Sequence, residues 1–161
     1  MKKKNKKNDM GKKCKSQNLI IGILFFLFFA LLLYIIFRQV NEYYQNNSPL
    51  LLEIREKLLF LADNISERNT ILNLKFYEGK KSYTINKKKV YICLNDPNTK
   101  EQYPMNMLMY VAIHELAHVF CDEIGHTRKF HQIFNTLLYR AEEKGIYDSS
   151  IPLISNYCGH N

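Results

Sequence analysis

Nineteen consecutive residues without a charge, Leu19 to Phe37 (LIIGILFFLFFALLLYIIF), constrain this chain more than any other feature. As a helix rising about 1.5 Å per residue, the run spans roughly 28 Å, close to the hydrocarbon thickness of a bilayer. A chain of 161 residues has no domain large enough to bury such a helix on every side. A cleaved signal peptide wants a shorter apolar core and a small-x-small site, whereas Arg38-Gln39-Val40-Asn41-Glu42 follows at once. The run predicts an uncleaved, single-pass transmembrane signal-anchor helix over 19–37, with the lipid bilayer as partner.

Charge then sets the orientation. The chain carries a formal +8, a balance that on a folded face would suggest a nucleic-acid partner. Residues 1–18, however, hold eight lysines against one acid, Asp9, while residues 19–161 hold 15 basic and 14 acidic side chains. The excess belongs to a basic cytosolic tail, and no specific nucleic acid is expected as a partner. After the anchor only Arg38 follows closely, with Glu42 soon after, so the positive-inside rule keeps the N-terminus cytosolic and makes the C-terminal domain lumenal or external. Tyr34, Tyr43 and Tyr44 suit the interfacial belt on the far side. Cys14, beside the membrane, is expected to be an idle thiol, with palmitoylation as the alternative.

Arg38 to Ser48 reads as a polar linker, and Pro49 opens a domain of 113 residues, 49–161, enough for one modest core. Leu51, Ile54, Leu58, Leu61, Ala62 and Ile65 keep helical spacing, which predicts one amphipathic helix from Pro49 to about Arg68. The period then changes to two. Leu72, Leu74 and Phe76 alternate with polar residues, Gly79-Lys80-Lys81 breaks the run, and Tyr83 to Ile85 and Val90 to Leu94 make two further strands of a short antiparallel sheet. Lys87-Lys88-Lys89 reads as a solvated hairpin tip, and Asp96-Pro97-Asn98 as a turn. A second helix runs from after Pro104 to about Cys121. Thr127 is the expected N-cap of a third, whose stripe is Phe130, Ile133, Phe134, Leu137, Leu138 and Ala141. Ile146 to Leu153 is apolar enough to pack back on the domain. The fold class is α+β.

The second helix contains His114-Glu115-Leu116-Ala117-His118. Residues four apart project from one helical face, so both imidazoles reach one metal ion, while the offset Glu115 approaches a water. That is the logic of the H-E-x-x-H zinc metalloprotease site. The flanking apolar residues bury the motif, and burying two imidazoles and a carboxylate without a metal is costly. A catalytic zinc wants a third protein ligand. Gly125, ending the helix in a left-handed conformation, turns His126 back towards the first two; Glu123 is the runner-up, and His131 falls on the third helix beside the site. His160 lies far away in the sequence.

On these residues the chain resembles a known family. Val111 to Phe134, VAIHELAHVFCDEIGHTRKFHQIF, looks like the minimal zincin metallopeptidases of the WLM and SprT-like kind, and most of all like the metallopeptidase-like proteins of large nucleocytoplasmic DNA viruses. The latter share the strand-like segment seen here as Ile85 to Leu94 and a terminal Tyr157-Cys158-Gly159. The likeness covers roughly residues 82–160. It implies a zincin-like domain, Zn2+ held by His114, His118 and His126, Glu115 as general base, and a peptide or protein substrate. Two departures are His131, where the related pattern usually has Trp, and a seven-residue gap between His118 and His126, longer than in WLM proteins.

The implied enzyme is a membrane-anchored zinc metallopeptidase that hydrolyses peptide bonds with a zinc-activated water. One of the strands Tyr83–Ile85 and Val90–Leu94 is expected to hold substrate in extended form by edge pairing. His131, Tyr139, Tyr147 and Tyr157 are the candidates for an oxyanion stabiliser. The alternatives are a catalytically inactive zinc-binding scaffold, against which the intact Glu115 argues, or a membrane tether that works through its basic tail. Cys121 and Cys158 either form a disulfide or remain free thiols. Asn46-Asn47-Ser48 and Asn64-Ile65-Ser66 are glycosylation sequons of low specificity.

Overall fold

A computed structural model describes residues 3–46 and 48–159, with side chains described over 19–41 and 48–159. The side chains of the tail lysines and of Cys14, Tyr43, Tyr44 and Asn46, and the whole of Lys2 and His160, lie outside that description. The chain divides into two units, Met1–Tyr43 and Tyr44–Asn161.

The first unit is carried by helix α1, Lys3–Asn46. Its apolar stretch extends to Leu19–Asn41, every residue of which is exposed, so it is long and apolar enough to cross a membrane. By length and composition such a stretch matches the hydrocarbon thickness of a bilayer.

The second unit is a mixed α+β domain. Its elements are α2 (Pro49–Leu61), α3 (Ile65–Leu72), β1 (Lys75–Glu78), β2 (Tyr83–Ile85), β3 (Lys89–Ile92), α4 (Met105–Phe120), α5 (Arg128–Glu143) and a closing 3-10 turn at Tyr157–Gly159. The single helix expected from Pro49 to Arg68 is in fact two. Asn64 caps α3, its Oδ1 accepting from the Glu67 N–H at 2.9 Å, and the Glu67 carboxylate accepts from the Asp63 N–H at 3.1 Å. This reciprocal cap offers the backbone an alternative to continuing α2, and the apolar spacing runs on across the break.

The sheet has the order β1-β3-β2 and is mixed, which corrects the expectation of an antiparallel one. β2 and β3 form a hairpin turning on Asn86 and Lys87, both at positive φ. β1 lies parallel to β3 because residues 79–82 cross the end of β3 before β2 begins. The crossing is tight: a Cβ at Gly79 would stand 2.7 Å from the Lys81 carbonyl oxygen. β1 is also shorter at its start than the alternation of Leu72 and Leu74 suggests, since Leu72 belongs to α3.

Helix α4 is the hub of this domain and packs on α2, α5, β2 and β3. Leu108, Met109, Ala112, Ile113, Leu116 and Ala117 on it are almost wholly buried. Helix α5 presents Phe130, Phe134, Leu137 and Ala141 to the core, with Ile133 and Leu138 at its margin, as its spacing predicts. Between α5 and Leu153 only Ile146 is buried among the described residues. Ile151 and Leu153 are exposed, so the segment up to Leu153 covers less of the domain than its composition suggests.

The cysteines pair differently from either expectation. Cys158 is joined to Cys93, just past β3, and Cys121 is a buried free thiol at the end of α4. Cys121 has no exposed surface and lies in the apolar core, while the Cys93 and Cys158 Cα atoms stand 6.4 Å apart. Tyr103 holds the same tail, its hydroxyl oxygen accepting from the Cys158 N–H at 2.9 Å.

Candidate metal centre

Three elements bring the site together. Helix α4 supplies His114 and His118 from successive turns of one face. It stops at Phe120, in line with the expected end at about Cys121, and Lys87 reaches from the hairpin to its end, donating to the Cys121 carbonyl at 2.6 Å. Lys87 is thus a cap on α4 as well as a hairpin residue. Gly125 does take the left-handed conformation, with φ of 86°, and the loop swings His126 back over the helix. Thr127 then caps α5, accepting from the Phe130 N–H.

The outcome is a triad of imidazoles. The His126 Nε2 lies 3.0 Å from the His114 Nε2 and 3.2 Å from the His118 Nε2. Three converging ring nitrogens cannot all be satisfied by sharing protons among themselves, whereas one cation engages all three lone pairs. A tetrahedral zinc with bonds of about 2.0–2.1 Å requires neighbouring nitrogens about 3.3 Å apart. The residues present therefore fit such an ion. Beneath them the fully buried Phe130 makes a platform, its ring centroid 5.0 Å from His114, 4.3 Å from His118 and 4.8 Å from His126.

Electrostatics suit the same purpose. Burial, then the neighbouring His118, His126 and His131, push His114 down to about 4. Burial and His126 lower His118. His114 therefore stays neutral in mildly acid solution, its lone pair free for a metal, and His118 is shifted in the same direction. Glu115 is the one buried charged residue among those described, and burial pushes its carboxyl up to about 7, against a hydrogen bond from Thr84 that lowers it. The Thr84 Oγ1 donates to the Glu115 Oε2 at 2.8 Å.

Of the other expected participants, His131 is exposed on α5, its ring 6.3 Å from that of His126. Glu123 lines the cleft but is not among the three converging ligands. Tyr139 is exposed and bonded to Glu143, and Tyr147 stacks beside Tyr110. The Tyr157 hydroxyl is occupied by the Cys93 carbonyl and by Ser82. Three contributors escaped the sequence reading: Thr84, Lys87 in its capping role, and Phe130 as more than a core residue. Thr84 carried a signal, since the register pairs it with Val90 and so places a hydroxyl on the face that meets α4.

The cleft above the triad has a volume of 530 Å³ and is walled by Tyr83, Thr84, Asn86 and Lys87 of the hairpin on one side and the 123–126 loop on the other. The strand beside it is β2, which among the described residues pairs only with β3 and leaves its outer edge free. β3 is paired on both sides. Of the two strands considered for substrate pairing, only Tyr83–Ile85 has a free edge.

Comparison with known proteins places this chain among viral proteins. It is 36% identical over 153 residues to the uncharacterized protein 042R of Invertebrate iridescent virus 3, covering 87% of this chain and 96% of the relative. It is 42% identical over 106 residues to the uncharacterized protein 136R of Invertebrate iridescent virus 6, a match that covers 65% of this chain but only 60% of that relative's length. An uncharacterized protein of Acanthamoeba polyphaga mimivirus is 40% identical over 85 residues, 49% of this chain and 43% of the relative. No protein-family model matches the chain, and no solved structure matches it.

Proposed function

The chain belongs to the family of large-DNA-virus proteins that includes 042R of Invertebrate iridescent virus 3, and from that premise we propose that it is a membrane-anchored zinc metallopeptidase of zincin type. The observation that carries the reading is the convergence of three Nε2 atoms within 3.0–3.2 Å contacts beside a buried carboxylate and a free strand edge. His114, His118 and His126 would hold the ion. Bound there, zinc supplies a Lewis acid and lowers the pKa of water towards about 7.

The chain's own residues do the rest. A peptide lies extended along β2, its backbone pairing with the free edge near Tyr83 and Ile85, whose side chains are exposed. Glu115 accepts the proton of the attacking water and delivers it to the leaving amine. Thr84 fixes the carboxylate that does so, and burial keeps that carboxyl's affinity for a proton high enough to return it. The anchor then confines the enzyme to a membrane, with the eight tail lysines on the cytosolic side and the domain on the other.

Metal stoichiometry of the full-length protein tests the ligand set. One zinc per chain is expected, with His126→Ala weakening binding by 10-fold or more, whereas Glu123→Gln and His131→Ala retain it. Unchanged affinity in His126→Ala would remove the third ligand, and with it the reading.

A further inference from the structure

A second cavity opens from the first. It has a volume of 280 Å³ and shares Ser82 and His114 with the cleft, so the two meet at the triad. One wall is Met107, Tyr110 and Val111, which lie seven, four and three residues before His114 and so continue its helical face. The opposite wall is the C-terminal segment, with Ile154 and Tyr157. The space is smaller than the roughly 300–1,000 Å³ of a small-molecule site and suits one apolar side chain.

That C-terminal wall has no helix or strand behind it over 152–154, and Ile154 is exposed. It is held at one end. Cys158 is bonded to Cys93, its N–H donates to the Tyr103 hydroxyl, and the Tyr157 hydroxyl meets Ser82 at 3.1 Å and donates to the Cys93 carbonyl. Ser82 in turn accepts from the Cys93 N–H at 3.0 Å. The disulfide thus fixes one pocket wall to the residue that leads into β2.

Resting on the peptidase reading above, we infer that this pocket takes an apolar side chain flanking the scissile bond, and that the Cys93–Cys158 disulfide is the positioning element that shapes it. The substrate class follows: peptides with a Leu-, Met- or Phe-like residue next to the cleavage site. The occupant is a substrate side chain because the pocket opens into the peptide cleft at His114.

The test uses full-length protein in lipid nanodiscs, without metal, with methyl resonances observed as amidated dipeptides are added. Leu-Ala-amide and Phe-Ala-amide should shift Met107, Val111 and Ile154 saturably, and Asp-Ala-amide should not. Ile154→Asp, on an exposed wall residue, and the Cys93→Ser, Cys158→Ser double variant should each weaken binding about tenfold. Equal affinity for the apolar and acidic probes overturns the inference, as does undiminished binding in Ile154→Asp. Peptide hydrolysis by the zinc-loaded protein is measured separately. Selective binding without hydrolysis leaves the pocket standing and defeats the peptidase reading; hydrolysis with no apolar preference does the reverse.

Discussion

Glu115 and Thr84 form the most informative pair of residues. Burial raises the Glu115 carboxyl and the Thr84 hydrogen bond pulls it back, so Thr84→Val should raise it further. The acid limb of the kcat/KM profile then moves to higher pH, and Thr84→Ser restores it. A profile unmoved by Thr84→Val would mean that this hydroxyl does not act on the base. The metal-free protein offers a second pH test. His114 is depressed from 6.5 to about 4, so the stability it contributes is present above 6.5 and is lost as pH falls towards 4. Glu115 is raised from 4.5 to about 7, so its contribution is present at low pH and is lost as pH rises through 7. Between 4.5 and 6.5 the two slopes oppose each other. Glu115→Gln should therefore unmask a steady loss of thermal stability in chelator as pH falls through that window, where wild type stays flatter. The placement of His114, Glu115 and His118 was legible because a four-residue spacing on a helix leaves little freedom. Thr84 was less so, because a strand residue's partner depends on which helix the sheet meets.

Elements decide how firmly those residues are held. Phe130 is wholly buried under all three imidazoles. Phe130→Ala should cost about 3–5 kcal/mol in denaturant unfolding and weaken metal binding as well. A stability loss with intact metal affinity would show that the platform is only core. The cap at Asn64 is a local device, and Asn64→Ala should cost about 1 kcal/mol with no effect on the metal. Helices α4 and α5 followed from apolar spacing, Pro104 and Thr127. The break between α2 and α3 was written in Asn64-Ile65-Ser66-Glu67, a capping pattern that the continuing apolar spacing obscured. The parallel β1–β3 pairing had no local signature. It depends on a four-residue link crossing the end of β3 near Gly79, which is a tertiary fact.

At the scale of the whole molecule, charge and oxidation state bear on where the domain resides. The Cys93–Cys158 bond closes a separation of 65 residues, worth roughly 4 kcal/mol in a chain-entropy account. Such a bond persists in an oxidising compartment, in agreement with the lumenal or external side proposed for the domain. Protease added to sealed vesicles from the cytosolic side should leave residues 49–161 intact, and their digestion would reverse the orientation. The pairing itself was not legible, since three cysteines beyond the anchor allow three pairings and only the fold brings Cys93 and Cys158 together. In the proposed function, buried Glu115 works beside a metal as a base. The most direct test of that role is turnover of a peptide library by zinc-loaded full-length protein, wild type against Glu115→Gln, at equal measured zinc occupancy. Wild type should cleave, and the variant should be slower by about 10²–10⁴-fold while binding the same zinc. Equal turnover in the two proteins, or none in wild type at full occupancy, would contradict it.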